Sequence, residues 1–188
     1  AEFYDVVVTV KGPSETVVTR RKARYVGLWL NSASRTFVNI PSFYAVNSSR
    51  PLSEVTTPQI QKRFQIGAEA LVFPVSADDD AETAGPDDEF RQAFIRLKQQ
   101  DGLYRSEAYG VKFPGTEIFQ TAVQIPANVP VGRYLVTVYL FRDGAMLASD
   151  QSEIRISKMG FEQFTFDLAH NQGLIYGLIC VILAVFTG

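Results

Sequence analysis

YLVTVYLFRDGAMLASDQSEIRI, residues 134–156, decides the fold. Along an extended chain Tyr134, Val136, Val138 and Leu140 share one face, while Leu135, Thr137, Tyr139 and Phe141 share the other. Both faces are largely apolar, which predicts a central strand over 134–141. Arg142, Asp143 and Gly144 follow, and Asp-Gly accepts the positive φ angles of a tight hairpin, so a second strand is expected over 146–156. Just upstream, PANVPVGRY (126–134) is a Pro/Gly-rich corner that delivers Tyr134 to the start of the strand. A corner of this kind precedes the penultimate strand of immunoglobulin-like domains, where a tyrosine hydroxyl ties the crossover to the backbone. A plain core tyrosine after a turn fits the same residues.

Working outward, short β-branched and aromatic runs at 4–10, 15–20, 24–30, 35–40, 43–48 and 117–125 are separated by Gly, Pro and Asn. The expected fold is mainly β: an immunoglobulin-like antiparallel β-sandwich over 1–158 with one or two short helices. Trp29, in GLWL (27–30), is read as a core residue between sheets or, alternatively, as a ligand platform. Thr57 and Pro58 open a helix of a turn or two. The stretch 78–88 is acidic with little to bury and reads as a mobile loop. Asp87, Asp88 and Glu89 then complement the start of a helix over 89–101, whose apolar spacing is Phe90, Ala93, Phe94 and Leu97.

The last sixteen residues, GLIYGLICVILAVFTG (173–188), carry no charge. A helix rises about 1.5 Å per residue, so roughly 20 apolar residues cross a bilayer core of about 30 Å. The run falls slightly short of that, and either chain beyond Gly188 or Asn171 and Gln172 at the interface would complete it. With Phe161, Phe164, Phe166 and Leu168 at headgroup depth, residues 159–188 are expected to form a juxtamembrane and single transmembrane helix. Gly173 and Gly177 lie four apart, a small-xxx-small surface for another helix, with Tyr176, Cys180 and Ala184 on a neighbouring stripe; a lipid-facing anchor fits them equally. The chain opens directly on strand-like Val6, Val7 and Val8. Two topologies stay open on these residues, an exported domain with its leader cleaved or a cytoplasmic domain with a tail anchor.

The 188 residues have a net charge of −2, which gives no electrostatic mandate for nucleic acid, and Arg20, Arg21, Lys22 and Arg24 read as a solvated strand edge. His170 and Cys180 are the one histidine and the one cysteine. At about 1.5 Å per residue they stand about 15 Å apart along a helix, too far for a catalytic dyad. The same counts exclude a Cys/His zinc site. Asp78, Asp79 and Asp80 lack the alternating spacing of a calcium loop. No catalytic residue, metal or cofactor is expected; a hydrolase built on Glu54 or Glu69 has no recognisable frame of paired acids.

PSFYAVNSSRPL (41–52) has the composition of a functional surface. Phe43, Tyr44, Ser48, Ser49 and Arg50 are the candidate partner-binding residues, because aromatics and arginine dominate binding energy. Arginine with hydroxyls also suits an oxyanion, lining a cleft with Tyr44, Ser48, Ser49 and Arg50. The competing reading is a strand leaving the sheet, with Phe43 and Val46 in the core and Arg50 pairing locally.

VKGP (10–13), RRK (20–22) with GLWLN (27–31), PSFYAV (41–46), SSRPL (48–52), IRLK (95–98) with GLY (102–104), PANVP (126–130), GFE (160–162) and YGL (176–178) together resemble a family of alphaproteobacterial single-span transmembrane proteins. The resemblance covers nearly the whole chain. It implies a periplasmic β-rich domain with a C-terminal helix in the bacterial inner membrane, encoded near permeases of the sulfite or sulfonate exporter type, and it supplies no catalytic residue. Members carry a further stretch ahead of the residues matching 4–10, and 78–88 looks like a local insertion. The expected function is a non-enzymatic accessory subunit docking on an integral membrane complex or permease; the alternative is a membrane-tethered oxyanion-binding or sensing domain.

Overall fold

A computed structural model of the protein describes residues 4–25, 27–77, 83–115, 118–157 and 170, with backbone alone at 23, 25 and 28–30. The chain divides into two compact units, Ala1–Ile156 and Ser157–Gly188. The first is mainly β with short helices. In chain order it contains β1 (Asp5–Lys11), β2 (Ser14–Tyr25), β3 (Leu28–Pro41), β4 (Tyr44–Ser48), α1 (Leu52–Val55), α2 (Pro58–Phe64) and α3 (Glu89–Gln100). Then follow β5 (Tyr104–Ala108), β6 (Val111–Lys112), β7 (Gln120–Thr121), β8 (Gly132–Arg142) and β9 (Ala145–Ile156).

The main sheet has the order β5-β4-β1-β8-β9. The quoted hairpin forms as read: Asp143 and Gly144 have φ of 49° and 81°, the two positive angles of a tight turn that keeps the twist of both strands. Tyr134 is a tyrosine corner, buried, with its hydroxyl donating to the Pro130 carbonyl at 2.6 Å. Its ring lies 5.8 Å from that of Phe43.

Beside this five-stranded sheet stand two two-stranded sheets, β2–β3 and β6–β7, and one edge of the main sheet departs from the all-antiparallel pairing expected. β5 joins β4 in parallel, Tyr44 opposite Tyr104 and Ser48 opposite Ala108. A parallel pair needs a long crossover, and the helices α1, α2 and α3 all lie within it. No strand was expected over 104–108, since Arg105, Ser106 and Glu107 are exposed polar residues with no apolar period. The runs expected at 24–30 and 35–40 are also revised. Residues 24–30 straddle the turn of one long β2–β3 hairpin, and NSAS (31–34) continues β3 because it pairs across to β2. Trp29 stands opposite Arg24 in that register; its side chain lies outside the described residues. Arg20, Arg21, Lys22 and Arg24 are exposed, as a solvated edge requires.

β1 separates two apolar layers. Val7, with Tyr44, Val46, Tyr139 and Phe141, faces the larger core, which the β2–β3 hairpin and the helices close with Phe37, Ile40, Val55, Ile66, Phe73 and Phe94. Aromatic edges meet there: Phe37 to Phe73 at 5.5 Å, Phe73 to Phe94 at 5.6 Å, Phe94 to Tyr104 at 5.9 Å. On the other face Val6 and Val8 pack with Val111, and Val10 with Phe43, Val129 and Tyr134.

α3 starts where expected, the Asp88 carboxylate accepting from the amides of Phe90 (2.9 Å) and Arg91 (3.0 Å). Its buried stripe is rotated from the expected one: Arg91, Phe94 and Ile95 face inward while Leu97 is 52% exposed. The Arg91 guanidinium lies over the Phe73 ring and donates Nη2 to the Glu69 carbonyl at 2.6 Å, so a hydrogen bond and a ring face offset part of the cost of burying its charge. The acidic stretch is anchored at its end, with Thr83 bridging Pro74, Ala84 buried, and Asp88 paired with Arg35; residues 78–82 lie outside the described residues.

This packing sets two stability costs. Phe37→Ala removes a ring with no solvent exposure from the centre of the larger core and should cost about 3–5 kcal/mol, whereas Tyr134→Phe loses one hydrogen bond and should cost about 1 kcal/mol. Urea unfolding of the full chain in mild detergent measures both. Equal costs would contradict this assignment of the core.

Candidate functional site

Segment 41–52 is built around a buried carboxylate. Phe43 and Tyr44 have no solvent exposure and Ser48 has 2%, because β4 is covered on both faces. The Tyr44 hydroxyl donates to the Gln65 carbonyl (3.0 Å) and accepts from the Gly67 amide (2.8 Å). Burial raises its pKa far above the usual range. These three residues lie inside the domain, and the strand reading of the segment describes them.

Ser49 and Arg50 converge on Asp5. The Arg50 guanidinium donates Nη2 to Asp5 Oδ2 at 2.5 Å and Nε to Oδ1 at 3.0 Å, a bidentate fork. The Ser49 hydroxyl donates to Asp5 Oδ1 at 2.8 Å and accepts from the Val6 amide at 3.2 Å. Asp5 is 8% exposed. Arg50 and then Ser49 hold its pKa below the ordinary 3.8 against the opposing effect of burial. Asp5 takes the Nε and Nη2 donors of Arg50, while Arg50 Nη1 meets the exposed Glu54 carboxylate at 3.5 Å. The cluster locks the start of β1 to the end of β4.

The neighbouring β6–β7 hairpin carries a surface the sequence reading missed. Val111 pairs with Thr121 and Lys112 with Gln120, and the described residues 113–115 and 118–119 lie beyond that pairing. Its base is fixed: Val111 is buried, and Asn47 Nδ2 donates to Thr121 Oγ1 at 2.9 Å and to the Ala122 carbonyl at 3.1 Å. Gly110 packs closely there: a Cβ would meet the Asn47 side chain at 3.0 Å, which would have to shift to admit it. Among the described residues there, three large apolar side chains stand in solvent, Phe113 46%, Ile118 65% and Phe119 39% exposed, with Tyr109 and Ile125 exposed on the flanks. Residues 117–125 were expected to form one strand. Pairing instead covers Gln120–Thr121, and Phe113 ahead of Pro114-Gly115 was the available sign of an apolar turn.

A family model described as “Putative transmembrane protein (Alph_Pro_TM)” matches residues 1–188. The chain belongs to this family. Searches of curated proteins and of solved structures returned no match. The expected packing residues of the Alph_Pro_TM anchor, Gly173, Tyr176, Gly177, Cys180 and Ala184, lie outside the described residues, as does nearly all of the second unit. Among the described residues no helix is long and apolar enough to cross a membrane, and no group of three or more His, Cys, Asp or Glu side chains is placed to hold a metal.

The Asp5 cluster predicts a pH dependence. Its folded pKa is depressed, so its contribution is present above the unfolded value near pH 4 and is lost as pH falls through the lower folded value. Asp5→Asn should lower the melting temperature by roughly 2–4 °C at pH 7, and the difference from the unaltered protein should shrink on acidification below pH 4. A difference that is constant across this range would contradict the ionic role.

Proposed function

We propose that this Alph_Pro_TM member is a non-enzymatic accessory subunit of the bacterial inner membrane. Its immunoglobulin-like domain faces the periplasm, and a single C-terminal helix anchors it beside an integral membrane partner. The observation that carries the reading is the β6–β7 hairpin: three large apolar side chains stand in solvent on a base held by Val111 and Asn47, with Gly110 packed closely there. Exposed apolar groups of this kind mark an interaction site, and a fixed base lowers the entropic cost of docking. The tyrosine corner and the antiparallel β1–β8–β9 order support the immunoglobulin-like description. A permease of the sulfite-exporter type is the most specific partner, on the family resemblance.

Native membranes extracted in mild detergent test the proposal. The unaltered chain should co-purify with a multispan membrane protein at a fixed ratio, and a photo-crosslinker at position 118 should join the two. Ile118→Asp with Phe119→Ser should abolish that recovery without lowering expression, as should Gly177→Leu in the anchor. A chain that purifies alone, or recovery unchanged in all variants, overturns the reading.

A further inference from the structure

Where β1 and β3 end and β8 begins, the first unit holds an open cavity of about 570 Å³ bordered by Lys11, Gln65, Leu135, Val72, Arg133 and Glu153. That volume lies within the range of small-molecule sites, roughly 300–1,000 Å³. Lys11 stands in β1 opposite both Tyr44 of β4 and Leu135 of β8, lines the cavity and is half-buried. Its hydrogen bond is to a neutral group, Gln65 Oε1 at 3.3 Å, and among the described residues no carboxylate lies within ion-pair distance of it. Lys98 shows the contrast, with Glu15 Oε1 at 2.5 Å. Burial lowers the pKa of Lys11, and a bound anion would offset that cost.

The rest of the lining narrows the ligand. The lining is mixed: Ser14, Asn39 and Gln65 are polar, and Leu135, Pro13, Pro41 and the exposed Val72 form an apolar patch on one side. At the mouth Arg133 and Glu153 lie 3.9 Å apart, both mostly exposed. One half-buried cation with an acid at the rim matches a single negative charge better than two, and the apolar patch leaves room for a short apolar body beside it. We propose that this cavity binds a small organic monoanion, a carboxylate whose head meets the Lys11 ammonium and whose apolar body lies against Leu135 and Val72. The inference goes beyond the docking role and rests on other residues.

Isothermal titration of the purified full chain, in nonionic detergent and with no partner present, tests it with benzoate as the probe, against neutral benzyl alcohol and dianionic phenyl phosphate. Benzoate should bind one to one with a Kd near or below about 1 mM, and both controls should bind at least about tenfold more weakly. Lys11→Met should weaken benzoate at least about tenfold, with Lys11→Arg retaining it. Leu135→Trp, which fills the cavity without touching the charge, should abolish binding and keeps the test decisive if Lys11→Met does not fold. Absence of saturable benzoate binding, benzyl alcohol binding as tightly, or full binding by a folded Lys11→Met or Leu135→Trp protein would overturn the site. Because no partner enters the titration, failure here is separate from failure of the docking reading.

Discussion

β1 is the constraint on which the other elements depend. Residues 5–10 are buried throughout, so both faces of one short strand serve as core and both edges must be hydrogen-bonded, by β4 and by β8. Alternation along the strand then sorts the domain into its layers: Val7 looks toward the aromatic core under the helices, while Val6, Val8 and Val10 look toward the smaller layer capped by Val111 and Val129. A one-residue slip would exchange these sets and bury nothing correctly. The Asp5 carboxylate fixes the strand at its first residue, since no position but the present one offers it both Arg50 and Ser49.

Legibility of the fold followed how local each determinant is. The β8–β9 hairpin, the corner at Tyr134 and the cap at Asp88 are encoded within a few residues of where they act, and all were readable. β5 was not, because Arg105, Ser106 and Glu107 form a strand through backbone pairing to β4 across a crossover of more than fifty residues. The same holds for NSAS in β3, which is extended because β2 runs beside it. On α3, tertiary packing overrode the apolar spacing: Arg91 turns inward where the Glu69 carbonyl and the Phe73 ring receive it, leaving Leu97 outside.

Function was harder to read for a related reason. The 41–52 segment has the composition of a contact surface, yet its aromatics are consumed by the core and its arginine by a carboxylate more than forty residues away in sequence. Composition cannot distinguish a ring aimed outward from one aimed inward. The exposed Phe113, Ile118 and Phe119 show the converse. Ile118 and Phe119 read as ordinary strand residues until the pairing of Val111 with Thr121 is known, and Phe113 stands in none of the expected strands. Surface then follows from topology: a short hairpin pinned over Val6 and Val8 has no second layer to bury its own end.

Hydrogen–deuterium exchange of the full chain in lipid nanodiscs tests most directly whether β1 organises the domain. Amides at residues 6–10 should be the slowest to exchange, together with those of β8, through opening that matches global unfolding, while the outer strands β5 and β9 exchange sooner. Exchange at residues 6–10 as fast as in β5 would contradict the account.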